Sequence, residues 1–261
     1  MPFVSRRAVL AALAMAPAAA RAASAPASAP TSAGLLAAIP IGRLDLPWWR
    51  RRFEEKNARL RQGAGLLWLG DSITQNWEKD GPQPWARFAP VWDRYYRRWN
   101  AVNLGFTGDT TASLLWRLRE MATPPAPPRA AVVLIGANNF GRVHWPAEAT
   151  VAGIASDLGE LRRRLPQTRV LLLSVLPSDR GAWVAAQTAQ TNRLLQARYG
   201  GAAEGVTFHD ATSLFSRDGM VDTTKFYDPL LMPPAPALHP TAQAMESLAA
   251  AIEPTLARLM G

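Results

Sequence analysis

No cysteine occurs in the 261 residues, which excludes disulfide bridges, thiolate metal sites and cysteine nucleophiles together. Histidine is almost as scarce. There are three, His144, His209 and His239, so any imidazole chemistry must draw on one of them. The apolar segment near the N-terminus, residues 8–16, is far shorter than the ~20 residues of a membrane-spanning helix, and no stable membrane insertion is expected. Basic residues outnumber acidic ones, 29 to 20, but there is no dense basic run. The arginines are interleaved with acids, as in RRRFEEKNARLR over residues 50–61, which reads as a solvated surface and gives no sign of a nucleic-acid partner. Metal-ligand spacing is also lacking, so no metal and no cofactor is expected.

What the N-terminus does contain is the order of a secretory signal. SRRAVLAALAMAPAAARA, residues 5–22, runs from paired arginines (Arg6, Arg7) through an apolar stretch to an A-x-A site at Ala20-Arg21-Ala22. The paired arginines resemble the twin-arginine export signal of bacteria, and residues 1–22 are expected to direct the chain to the periplasm or beyond. Their removal takes three of the 29 basic residues and no acidic one, leaving a net charge of +6. Residues 23–45, rich in Ala, Ser and Pro, read as a tether. One domain, 46–261, follows, and a hydrophobic content of 48% suffices for a sizeable core.

Within that domain strand and helix signals alternate. Continuous apolar runs at Leu66–Leu69, Ala101–Leu104, Ala131–Ile135, Val170–Ser174 and Val206–His209 are of the kind that strands covered on both faces require. A charged helix is expected from Trp48 to about Arg61. After Pro146, Val151, Ile154, Leu158, Leu161 and Leu165 fall at spacings of three and four, forming one helical stripe. Leu114–Leu118, Val184–Leu195 and Thr241–Met260 suggest further helices. The alternation predicts an α/β fold with a five-stranded parallel sheet covered on both faces. Ligands on such sheets sit beyond the carboxyl ends of the strands.

The residues at those ends are therefore the ones to inspect. Gly70-Asp71-Ser72 follows the first strand, GFTGDT (Gly105 to Thr110) the second and GANN (Gly136 to Asn139) the third, while LHPT, with His239, precedes the last helix. A serine there can attack an ester carbonyl if a histidine takes its proton and donors hold the oxyanion. Gly108 lets a backbone N–H approach closely, and Asn138 offers a neutral amide donor. Of the three histidines, only His239 has a context of this kind, before Pro240 and a helix. Each residue also has a structural reading: Asp71 or Ser72 as a helix cap, Gly108 and Asn138 as turn formers, His239 as a surface residue. Their consistent order after consecutive strands favours the functional one.

LGDSIT, NLGFTGDTT, IGANN and LHPT resemble the nucleophile, glycine, asparagine and histidine blocks of the SGNH (GDSL-type) hydrolases. The likeness runs from about Trp48 to the C-terminus and is greatest to the branch containing the catalytic subunits of platelet-activating-factor acetylhydrolase and related bacterial esterases. It implies a flavodoxin-like three-layer α/β/α sandwich. It also implies Ser72 as nucleophile, His239 as general base, and Ser72 N–H, Gly108 N–H and the Asn138 side chain as the oxyanion hole. The activity implied is that of a serine esterase removing short acyl groups, acetyl foremost, from a carbohydrate or small ester. An acyltransferase using the same residues, a lysophospholipase or lipase, and a catalytically silent glycan-binding protein are the alternatives.

One departure stands out. The family places an Asp three residues before the histidine, where this chain has Pro236. Asp228 takes that place if the Pro-rich stretch Pro229–Leu238 is an insertion, with Asp222 or a backbone carbonyl as alternatives; the insertion itself reads as a pocket wall or a surface loop. Among the ten tryptophans, Trp77 and Trp85 lie close behind the serine and suit either core packing or a sugar-stacking platform. Trp77 is the candidate for substrate contact.

Overall fold

The computed structural model describes residues 36–201 and 205–261, together with Met1; the expected signal, from residue 2, and the tether as far as residue 35 lie outside the described residues. A first helix, α1 (Pro47–Arg61), leads into β1 (Leu66–Gly70), the short α2 (Ser72–Gln75), α3 (Phe88–Tyr96) and β2 (Ala101–Gly105). Then come α4 (Thr111–Glu120), β3 (Ala130–Leu134), α5 (Ala137–Gly141), α6 (Ala147–Arg164), β4 (Arg169–Leu173), α7 (Ala182–Tyr199) and β5 (Val206–His209). A two-stranded hairpin, β6 (Ser216–Arg217) and β7 (Met220–Val221), and the final α8 (Ala242–Met260) complete the order.

Strands β1 to β5 form one parallel sheet in the order β2-β1-β3-β4-β5. Apolar runs are the right material because both faces are buried, and successive side chains then feed opposite layers. Leu66, Trp68, Val132, Leu134, Leu171 and Leu173 join one core with Phe88, Val91 and Tyr96 of α3 and Met245, Leu248 and Ile252 of α8. Leu67, Leu69, Val102, Leu104, Val133, Val170 and Leu172 join the other, closed by Leu60 of α1, Leu114 and Leu118 of α4, Ile154, Leu158 and Leu161 of α6 and Leu195 of α7. This is the flavodoxin-like three-layer sandwich. The winding reverses between β1 and β3, the switch point beyond whose strand ends open α/β sheets bind their ligands.

Two expectations need correction, and one helix goes beyond the sequence reading. Residues 36–45 are not tether: Ala37 is fully buried, its carbonyl accepts the Thr111 hydroxyl at 3.0 Å, and the Ile41 N–H donates to Ala112 at 2.9 Å. Their Ala- and Pro-rich composition says nothing of these long-range anchors. Helix α3 is absent from the sequence reading because FAPVWDRYY is crowded with aromatics and holds a proline, but Pro90 falls in the first turn, where a missing N–H costs nothing. Trp77 is fully buried, packed edge-on against Trp68 and Tyr96 at ring separations of 5.7 and 5.5 Å. It is core and has no face to offer a substrate.

Candidate active site

The site begins where β1 stops. Asp71 leaves the strand conformation, and its Oδ1 accepts the Ile73 N–H at 2.9 Å, capping α2. Ser72 is thereby the first residue of that helix, held at the end of a buried strand. Gly105, ending β2, lets α2 lie against the neighbouring strand, since a Cβ there would stand 2.2 Å from the Gln75 nitrogen.

Ser72 Oγ lies 2.9 Å from His239 Nε2. On the far side of the ring, Nδ1 donates to Asp228 Oδ1 at 2.6 Å, which fixes the tautomer and leaves Nε2 as acceptor for the serine hydroxyl. Asp228 Oδ2 accepts the backbone N–H groups of Leu238 and His239 at 2.9 and 2.5 Å. Burial works to raise the Asp228 carboxyl, but the His239 ring and these hydrogen bonds outweigh it and hold the group below the usual carboxylate range. The ten intervening residues do not separate the pair because the chain doubles back. Tyr227 N–H donates to the His239 carbonyl at 3.0 Å and Thr241 N–H to the Lys225 carbonyl at 2.8 Å, an antiparallel clamp below which Pro229–Leu238 bulges as a surface loop with Leu230 and Met232 exposed. Asp222 is elsewhere: it caps the turn at Thr223, accepting the Thr224 N–H, and pairs with Arg217 at 3.1 Å.

Asn138, the second residue of α5, donates one N–H of its amide to the Asp109 carbonyl at 3.0 Å. That bond orients the amide and leaves its second N–H. Gly108 has φ = 77°, a left-handed conformation that favours glycine. Its loop is held by a buried ion pair that the sequence reading missed. Asp109 accepts Arg117 Nε at 2.7 Å, Trp49 Nε1 at 2.8 Å and Arg43 Nη1 at 3.0 Å, while Arg117 also donates to the Gly70 and Leu104 carbonyls, each at 3.0 Å. A signal for Arg117 existed: an arginine between Leu114 and Leu118 interrupts an apolar helical stripe.

Tyr227 was also missed. Its ring stacks on His239 at 5.5 Å and 11°, and its hydroxyl is held by Asn76 Nδ2 at 3.0 Å and Lys79 Nζ at 3.3 Å. Trp85 is half-buried and packs edge-on against Tyr227 at 6.4 Å. The exposed tryptophans lie elsewhere on the rim. Trp48 sits under the Arg43 guanidinium at 5.7 Å, and Trp183 lies beside His144 at 5.6 Å and Phe140 at 6.5 Å. His209, a residue of β5, is remote from these groups in the sheet order.

A flavodoxin-like sandwich that presents a serine, a histidine and an aspartate hydrogen-bonded in series at its carboxyl edge is of the serine-hydrolase class. The model of the GDSL-like lipase/acylhydrolase family matches residues 68–246, and the chain belongs to that family. It is 29% identical over 133 residues to platelet-activating factor acetylhydrolase IB subunit alpha2 of Gallus gallus, covering 51% of this chain and 53% of that one. The chain thus spans about half the length of the first curated relatives it matches. Among solved structures, a GDSL-like lipase from Bacteroides thetaiotaomicron superposes with a TM-score of 0.59 at 19% identity, over 80% of this chain and 97% of that one. A catalytic mutant of an acetylxylan esterase from Geobacillus stearothermophilus does so with 0.52 at 19%, over 76% and 94%. These are similarities of fold.

Proposed function

We propose that this chain is a serine ester hydrolase that removes short acyl groups, acetyl foremost, from a carbohydrate or another small ester, and that it works outside the cytoplasm. The observation that carries the reading is the unbroken series Ser72–His239–Asp228, with 2.9 and 2.6 Å links, at the switch point of the sheet. Ser72 Oγ attacks the ester carbonyl as His239 Nε2 takes its proton. Asp228 stabilises the imidazolium through Nδ1–H. Negative charge gathering on the carbonyl oxygen is met by Asn138 Nδ2–H and the Ser72 and Gly108 N–H groups. His239 then returns the proton to the leaving alcohol, and a water molecule, activated by the same nitrogen, releases the acid from Ser72.

Acetyl is favoured by the matched relatives, which are named acetylhydrolases, and carbohydrate by a structural neighbour named an acetylxylan esterase. The exposed Trp48 and Trp183 rings are surfaces on which a sugar can stack. Work outside the cytoplasm rests on the leader-like order of residues 5–22. The test is covalent. A fluorophosphonate probe is expected to label Ser72 and to stop acetate release from p-nitrophenyl acetate, whereas Ser72→Ala takes no label and loses turnover while keeping its circular dichroism spectrum. Turnover near that of the parent by a folded Ser72→Ala protein would overturn the assignment.

A further inference from the structure

The charges around the Gly108 loop do not balance. Asp109 is the carboxylate of that loop, yet it is shared by two arginines, Arg117 and Arg43. A third, Arg142, reaches over the same glycine: a Cβ on Gly108 would lie 2.7 Å from Arg142 Nη1 and 3.2 Å from Arg43 Nη1. Two like charges held about 6 Å apart or less repel each other. Asp157, the other carboxyl in electrostatic reach of Arg117, does not offset them. It is buried with neither oxygen hydrogen-bonded, and burial pushes its pKa up, toward the neutral form.

Arg142 is exposed, and its guanidinium has no hydrogen bond, ion pair or ring contact among the described residues. It follows α5, the helix that carries Asn138, and its backbone N–H donates to the Asn138 carbonyl at 3.0 Å. Five N–H donors are thus presented beside two of the residues assigned to the oxyanion hole, without an internal partner. Arg180, by contrast, donates to the Ala137 carbonyl at 2.8 Å and to Ser178 Oγ at 3.2 Å and faces the Asp71 and Asp228 carboxylates.

We propose that Arg142 and Arg43 form an anion subsite beside the Gly108 loop and that the natural ester carries a carboxylate near the scissile bond. The inference rests on the esterase reading and deepens it. Because the acyl group in that reading is acetyl, which bears no charge, the carboxylate belongs to the alcohol: the substrate class is an O-acetylated sugar acid. Planar guanidinium donors suit a carboxylate's two oxygens, and Trp48, which packs against Arg43, offers the sugar ring a face.

Acetate release is measured from a mono-acetylated methyl glucuronoside and from the matching methyl glucoside, for the parent, Arg142→Gln and Arg142→Lys. The parent is expected to favour the glucuronoside by about tenfold in kcat/KM, mainly through KM, and to lose the preference at high salt. Arg142→Gln should bring the ratio close to one, and Arg142→Lys should restore part of it. Equal turnover of the two sugars by the parent, or a preference that survives Arg142→Gln, overturns the subsite. Fluorophosphonate labelling separates the layers of the inference. If Ser72 is labelled but neither sugar is deacetylated, the substrate class is wrong and the esterase stands; if Ser72 is not labelled, the esterase reading fails and takes the subsite with it.

Discussion

Asp71 is buried beside Ser72, and burial pushes its carboxyl up to about 6, against the lowering effect of its bond from the Ile73 N–H. The folded chain therefore binds this proton more tightly than the unfolded chain does. As pH rises from the ordinary carboxylate value toward 6, the unfolded state loses the proton first, so stability falls, and the loss is complete above that range. Its size is roughly 3 kcal/mol at ~1.36 kcal/mol per factor of ten in proton affinity. Asp71→Asn keeps an acceptor for Ile73 and removes the charge. It is expected to gain about that much in urea unfolding at pH 8 and almost nothing below pH 4; an equal gain at both would show that charge burial is not the cause. The carboxyl also lies in electrostatic reach of the His239 ring, which works to lower it against the effect of burial. As candidates, Ser72, Gly108, Asn138 and His239 were legible because each sits in a short polar stretch beside an apolar run; that Asp228 and not Asp222 meets the His239 ring was open in the sequence and is given by the fold. Trp77 was not: a tryptophan behind a serine reads alike whether its ring faces solvent or Trp68.

Helix α4 is joined to the sheet by polar contacts as well as apolar ones. Leu114 and Leu118 enter the core, while Arg117, from the same face, ties the carboxyl ends of β1 and β2 through the Gly70 and Leu104 carbonyls. Arg117→Met keeps much of the side-chain volume but abandons those carbonyls and leaves Asp109 buried with one cation fewer. The expected cost is about 3 kcal/mol in urea unfolding, the lower end for a broken buried pair because Arg43 and Trp49 remain. Adding Asp109→Asn should recover part of it, and a double variant no more stable than Arg117→Met would mean that the carbonyl bonds carry the effect. The five strands follow from continuous apolar runs, and helices α1, α4, α6, α7 and α8 from their apolar or charged patterning, within a few residues at their ends. Helix α3 and the packing of residues 36–45 do not, because their stability comes from partners distant in sequence, Tyr227 for Phe88 and Thr111 for Ala37.

At the scale of the molecule, the doubly wound sheet brings the ends of β1, β2 and β3 to one edge, and the clamp at Tyr227 and His239 delivers Asp228 and His239 from the segment that precedes α8. Asp228 and His239 thus stand at the two feet of one loop, while Ser72 opens the short helix α2 that follows β1. Replacing the exposed residues 232–234 by a Gly/Ser segment of equal length is expected to leave p-nitrophenyl acetate turnover within about threefold, since surface loops tolerate such change; a loss of about a thousandfold would show that the loop itself holds Asp228 in place. A segment whose feet are fixed in this way can change length or composition between them while the spacing of Asp228 and His239 stays set by the two backbone hydrogen bonds of the clamp.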